Sequence, residues 1–362
     1  MTYKSDYGMA VLSGIKIETF RGDLEGLERM AHSAWRDEYG IESFPNLYRP
    51  EFLRFLFERI RDKENLIGAY RGNEIVSFLA NLPRRYSIDG NVYQGVYSCL
   101  LVTRKALLRQ GIARAIIGKA LELNERMRYD LALYALEGGH RSTQLVKKLE
   151  ATGHPVRWLR RNYVIARVLD LRQAAASEGL KKWEKAAIRL IGAQRPPRKR
   201  PGVPVREYRE EDLDRCLNLL GRYAEEIRVA LVWDREDLGR ELDYPDVSQT
   251  LVYEKNGTVE GLINFIYHDH LGHTRERWAW INHVAYPSLS SRERNRFVEA
   301  FLCYIREVGC LGAVEWTRKY YPMEPLFRNR FFPYFRYVNQ VAWIFNREIS
   351  LHKIPSIYEV QI

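Results

Sequence analysis

Four polar residues leading into one glycine carry the strongest chemical signal in the chain. Arg104, Lys105, Arg109, Gln110 and Gly111 follow the apolar run Cys99-Leu100-Leu101-Val102, and a helical pattern begins directly after them. Ile112, Ile116, Ala120, Leu123 and Met127 recur at helical spacing, with Lys119, Glu122 and Arg126 on the other side. A strand that feeds a basic, glycine-containing turn at a helix start makes an anion site. The first N–H groups of the helix have no internal acceptor, and the helix dipole is positive there. Gly111 removes the Cβ that would hold a ligand off the backbone, Ala113 is nearly as small, and Arg109 and Arg114 add fixed charge. A phosphate or pyrophosphate suits such a turn.

Other reactive side chains give less. His268-x-His270-x-x-His273 invites a metal reading, but it falls between two expected strands with only Asp269 as a nearby carboxylate. A solvated hairpin tip is expected there, and no metal. Cys99, Cys216, Cys303 and Cys310 are scattered in apolar surroundings without zinc-type spacing, which fits free thiols in a reducing cytosol. No run approaches the ~18–20 apolar residues that span a bilayer, and no charged-then-apolar leader opens the chain, so a cytoplasmic protein without a transmembrane segment is expected. The formal charge of +11 is densest in a linker and comes with no recognition motif, so specific nucleic-acid binding is not expected.

The elements that must position these residues can be read in order. Ile15–Arg21 alternates like a strand, Asp23 caps a helix through about Tyr39, and a second helix follows Pro50 with Phe52, Phe55, Leu56 and Ile60 inward. Leu66–Tyr70 and Ile75–Tyr86 form a hairpin across Arg71-Gly72-Asn73, and Asp89-Gly90-Asn91 turns into the strand Val92–Val102. Leu131–Leu136 is a buried strand broken by Gly138-Gly139, Ser142–Ala151 a helix, and Tyr163–Leu169 a closing strand. Ala174–Ala193 reads as a basic amphipathic helix, ending in the proline-rich QRPPRKRPG. Packing between domains explains that helix more simply than a membrane surface does.

Residues 203–346 repeat the pattern, and the hairpin NLIGAYRGNEIVSFLANL aligns with TLVYEKNGTVEGLINFIY. Where the first copy has its glycine turn, the second has YPSLSSRERNRF, with no Gly-x-Gly/Ala. At 362 residues and 46% hydrophobic content, two cores are affordable. The domains expected are residues 1–171, a basic helix and linker over 172–202, and residues 203–362.

The segment VTRKALLRQGIAR, together with this order of elements over about residues 15–170, resembles the GNAT acyltransferases. Gly111 and Ala113 match the last two fixed positions of that family's Gln/Arg-x-x-Gly-x-Gly/Ala loop. Leu108 stands where the family has Gln or Arg, and the loop is one residue longer. The resemblance implies an α/β (α+β) fold of two tandem GNAT-like domains, each a mixed, mostly antiparallel twisted sheet flanked by helices, with a degenerate second copy. It implies that the backbone around Leu100, Leu101 and Val102 holds the acyl carbonyl and pantetheine, and that Arg109, Gln110, Gly111, Ile112, Ala113 and Arg114 hold the CoA pyrophosphate. The reaction implied is N-acetyl transfer from acetyl-CoA, or from another acyl-CoA, to a small-molecule or peptide amine, without a metal. A homo-oligomer is left open.

The family's tyrosine acid is replaced here by Leu149, and the strand Val92–Val102, where some members carry a glutamate instead, has no carboxylate. Tyr97, Tyr134, Glu137 and His140 remain near the expected gap between strands. Glu137 is the first choice as base, with Tyr97 on the facing strand as its rival. Two alternatives stay open: a long-chain acyl or aminoacyl transferase of the same fold, for which the basic linker and the cluster Tyr320, Tyr321, Phe327, Phe331, Phe332, Tyr334, Phe335 and Tyr337 speak, and a CoA-binding regulator without catalysis.

Overall fold

The computed structural model describes residues 14–39, 44–177, 181–193 and 195–360. The expected tail over residues 1–13 lies outside them, as do Leu180 and Gln194 of the linker. The first half runs β1 (Ile15–Thr19), α1 (Leu24–Tyr39), β2 (Phe44–Pro45), α2 (Pro50–Phe57), β3 (Leu66–Arg71), β4 (Glu74–Ile88), β5 (Asn91–Thr103), α3 (Ile112–Arg126), β6 (Leu131–Glu137), α4 (Arg141–Ala151) and β7 (Val156–Val168). Two short helices, α5 (Leu171–Ser177) and α6 (Lys182–Leu190), lie where one basic helix was expected. The second half follows as β8 (Val205–Glu207), α7 (Leu213–Glu226), β9 (Val229–Val232), α8 (Arg235–Leu242), β10 (Ser248–Lys255), β11 (Thr258–Leu271), β12 (Arg275–Ala285), α9 (Ser291–Glu307), β13 (Gly312–Trp316), α10 (Glu324–Arg328) and β14 (Phe332–Ile344).

Local chemistry explains most of these elements. Pro50 occupies the first turn of α2, where its missing N–H costs nothing. Asp89-Gly90 and Asn256-Gly257 both take positive φ at two successive residues, the twist that a two-residue hairpin turn needs. On α3, Ile112, Ile116, Ala120 and Leu123 are buried as the spacing requires, each large apolar side chain contributing about 1.5–3 kcal/mol. Met127 falls just past that helix and is exposed.

Twelve of the strands form one path, β1-β3-β4-β5-β6-β14-β7-β13-β12-β11-β10-β8, so the two halves share a continuous sheet. The middle of that order differs from two repeats that each close on themselves. β14, from the end of the second half, pairs antiparallel with β6 of the first, and β7 pairs antiparallel with both β14 and β13. Each half thus has its last strand laid against the other. Within each half one parallel pair remains, β5 with β6 and β12 with β13.

Buried charge also ties the halves. Arg59, just after α2, meets Glu241 on α8 at 2.7 Å, both side chains almost fully buried. Burial alone would push the Glu241 carboxyl up, but Arg59 and His283 beside it hold it well below the usual carboxylate range. Removing one partner of such a pair leaves an uncompensated charge, at a cost of about 3–5 kcal/mol.

Candidate functional site

The site begins where β5 and β6 part. They pair in parallel only from Gly95↔Leu131 to Tyr97↔Leu133, although β5 continues to Thr103 and β6 to Glu137. Just beyond, β5 carries a bulge. Its register against β4 jumps between Phe78↔Val102 and Ala80↔Cys99, so Leu100 and Leu101 together oppose Leu79, and Leu100 takes a φ of 57°. A bulge interrupts the ladder and re-aims the backbone. Leu100, Leu101 and Val102 all line the cavity that opens there.

From β5 the chain passes through a single turn at Lys105–Leu107 into α3, whose N-cap is Gly111. Gly111 has a φ of 85°, which a side chain would strain, and no side chain caps the first turn of the helix. Arg109, Gln110, Gly111 and Arg114 are not buried, and neither arginine forms an ion pair among the described residues. The first-turn N–H groups are therefore offered outward beside two free cations. The equivalent helix start in the second half is closed. Ser290 accepts from the Glu293 N–H, the Glu293 carboxylate accepts from the Ser290 N–H, and Glu293 also pairs with Lys255. If the turn holds a CoA pyrophosphate, as the resemblance of its sequence implies, Gly111→Glu should lower CoA affinity at least tenfold, about 1.4 kcal/mol, measured by calorimetry on the folded variant. Reversal of Arg292 should leave it nearly unchanged.

The cavity has a volume of about 410 Å³. Its wall starts at Leu108, Ala113 and Ile117, passes the bulge, and continues over β6, β14, β7, β13 and β12 to His270 on β11. Across the sheet, β6 and β11 are five inter-strand steps apart, roughly 24 Å at about 4.8 Å each. Most of the lining is apolar. The far part is aromatic, with Trp278, Trp280, Trp316 and Tyr334 around His270 and Arg336.

Glu137 ends β6 and is the only carboxylate among the described lining residues. Its position is fixed from both sides. Val338 of β14 is its cross-strand partner, and the Thr143 hydroxyl donates to its carbonyl at 2.7 Å. Gly138 follows because a Cβ there would lie 2.2 Å from the Tyr337 ring. His140, the N-cap of α4, and Tyr134 also line the cavity, and Leu149 does so in place of a tyrosine. Burial pushes the Tyr134 phenol up to about 12 while the Ser98 hydroxyl hydrogen-bonds it, so it stays protonated. Ser98 donates in turn to Asn81, and Asn81 to Asn124 on α3, a buried polar chain leading from the cavity wall. Cys99 is likewise pushed up to about 12 by burial and offers no thiolate. Tyr97 is placed differently: it is buried in the large core with Leu82 and Leu133 and does not line the cavity.

The histidine motif is not a solvated tip. β11 extends to Leu271, so His268 and His270 alternate onto one buried face and only His273 reaches the exposed turn. His270 stacks on Trp278, and its Nε2 accepts from the Trp280 indole at 3.1 Å. No group of three potential metal ligands occurs among the described residues. Burial, then the Arg336 charge, lowers the His270 pKa to about 3 against the opposing effect of Asp269. In an unfolded chain the same imidazole titrates near 6.5. Between those values only the unfolded state gains the proton. Stability is therefore full above pH 6.5 and is lost as pH falls towards 3, by about 1.4 kcal/mol per unit from this group. His268 acts in the same direction. His270→Gln should flatten the acid limb of urea-derived ΔG against pH by that one-proton slope; an unaltered limb would mean that other groups set it.

No family model matches the chain, and no curated protein matches it in sequence. Solved structures do. The chain is similar to the N-myristoyltransferase of Saccharomyces cerevisiae with bound myristoyl-CoA, with a TM-score of 0.76 and 14% identity over 91% of this chain and 83% of that one. It is also similar to GCN5-related N-acetyltransferases from Kribbella flavida (TM-score 0.53, 14% identity, 93% of this chain and 72% of that) and Anabaena variabilis (0.54, 12%, 91% and 72%). The chain thus has the fold of the GNAT superfamily of N-acyltransferases.

Proposed function

We propose that this chain is an acyl-CoA-dependent N-acyltransferase whose donor carries a long apolar acyl chain. The extent of the cavity carries that reading. An extended chain advances about 1.2 Å per bond, judged from roughly 3.5 Å over the three backbone bonds of a residue. An acetyl group would therefore occupy a small fraction of a cavity that passes under six strands, and a chain of a dozen or more carbons would fill its apolar wall. The fold match to a myristoyl-CoA-bound enzyme supports the same donor class.

In this reading residues 1–171 grip the donor, residues 172–202 connect, and residues 203–362, with their helix start closed by Ser290 and Glu293, complete the cavity. Arg109 to Arg114 hold the pyrophosphate, and Leu100 to Val102 hold the pantetheine arm and the thioester carbonyl. The acceptor amine attacks that carbonyl and the C–N bond forms as the C–S bond breaks. Glu137 takes the amine proton, and that same proton passes, directly or through water, to the departing thiolate, so that CoA leaves as its thiol. Acceptors are small-molecule or peptide amines.

A second reading keeps acetyl-CoA and gives the aromatic part of the cavity to a large apolar acceptor. His270 and Arg336 favour it, since both are polar partners that an acyl tail would not use. Calorimetry with CoA, followed by turnover with acetyl, octanoyl and palmitoyl donors on a panel of amines, separates the readings. Preference for the long donors supports the first; preference for acetyl supports the second. CoA binding without turnover on any amine would indicate a regulator and overturn both.

A further inference from the structure

We propose that α6 and its flanking cations form a docking surface for an anionic phospholipid membrane. The helix uses only part of its apolar content for packing. Ile188 and Ala193 are buried in a small core with Leu171, Ala174 and Trp278, and the Arg330 guanidinium donates to the Gly192 carbonyl at 2.8 Å. These contacts fix α6 to the body. Three large apolar residues are exposed to solvent: Leu190 is 89% exposed, Trp183 56% and Ile191 45%. At about 100° per residue, Trp183 and Leu190, seven positions apart, share one side of the helix. A folded protein gains nothing by presenting such a stripe to water, and an interfacial helix is built this way, with tryptophan and leucine on one side and lysine and arginine on the other.

Charge indicates what covers it. Between Lys181 and Arg200 the sequence holds eight basic residues and one acidic, the larger share of the formal +11. Lys199 and Arg200 are spent on Glu307 and Glu299, whereas Lys182, Lys185 and Arg189 form no ion pair among the described residues. A groove of about 690 Å³ between α5 and α6 is lined by Arg172, Lys185 and Arg189, with Asp170 also on its wall. It gives a phosphate headgroup a concave, net-basic seat next to the apolar stripe. Nucleic acid would use the cations and not the aliphatic side chains; a bilayer uses both, because each Lys or Arg near an anionic surface adds attraction while the stripe enters the acyl boundary. Docking requires only α6 and its neighbours, whatever the cavity holds. The core beneath α6 shares Trp278, Val164, Ala166 and Val314 with the cavity wall, so the bound membrane would lie on the cavity's side of the sheet.

Sedimentation of the full chain with vesicles tests this. Vesicles of phosphatidylcholine with about a third phosphatidylserine should bind at least tenfold more tightly than phosphatidylcholine alone. Leu190→Ser with Ile191→Ser should weaken binding tenfold or more at unchanged Tm, and Lys182→Glu with Lys185→Glu should remove the preference for anionic lipid. Brominated lipid should quench the wild-type fluorescence more than that of Trp183→Phe. Failure to bind either vesicle would overturn the proposal. So would binding that the lysine pair abolishes but the serine pair leaves intact, which is the behaviour of a polyanion site without insertion.

Discussion

Glu137→Gln is expected to lower kcat by about 10²–10⁴ while the KM for the acyl donor changes little, the pattern for loss of a proton acceptor used only in the transition state. The substitution keeps the side chain's size and leaves the carbonyl that accepts from Thr143 untouched. Tyr97→Phe is the matched control. Its ring is buried in the core and does not line the cavity, so the phenylalanine should fill the same space and turn over normally. If the tyrosine variant is crippled and the glutamine variant active, the base is not Glu137. If neither matters, the amine loses its proton to solvent and the site works by positioning.

Ala166→Phe should separate donors by length. Ala166 lies on β7 in the wall between the bulge and the aromatic part, and is 4% exposed. A phenyl ring there would block the passage. We expect kcat/KM for palmitoyl donors to fall about 100-fold or more, and that for acetyl or butyryl donors to stay within about threefold. That loss corresponds to about 2.7 kcal/mol of transition-state binding. Overpacking costs about 1–3 kcal/mol of stability, so the Tm must be measured alongside. An equal loss for all donors would show that the ring disturbs the reacting centre and not the acyl path.

Local rules made the first half legible. The turn at Gly111, the strand before it and the helix after it follow from glycine's backbone freedom, apolar runs and helical spacing, and the structure places all three as read. Glu137 was singled out by its place at the end of β6, and it lies on the cavity wall. What escaped was long-range. The residues that flank Glu137 from β14, some two hundred positions later, have no local signature that ties them to β6. The alternation of His268 with His270, and of Trp278 with Trp280 on the strand beside it, was present in the sequence, but setting the hairpin tip too early turned a buried wall into a solvated loop. The linker misled in the other direction: periodicity ran on through a break, and one long helix was expected where α5 and α6 stand.

The interlaced closing strands have a consequence for biosynthesis. The C-terminal end of β6 has no hydrogen-bonded neighbour until β14 arrives, and β7 needs β13 and β14, which are translated last. Between the final residue of β7 and that of β14 the ribosome adds 176 residues, from Val168 to Ile344. At ~5–20 residues per second this takes roughly 9–35 s. Throughout that interval the nascent first half carries raw sheet edges, which readily pair with other chains. Yield in the cell should therefore depend on holding chaperones more than a protein of separable domains would, and slower elongation through the second half should lengthen the hazard.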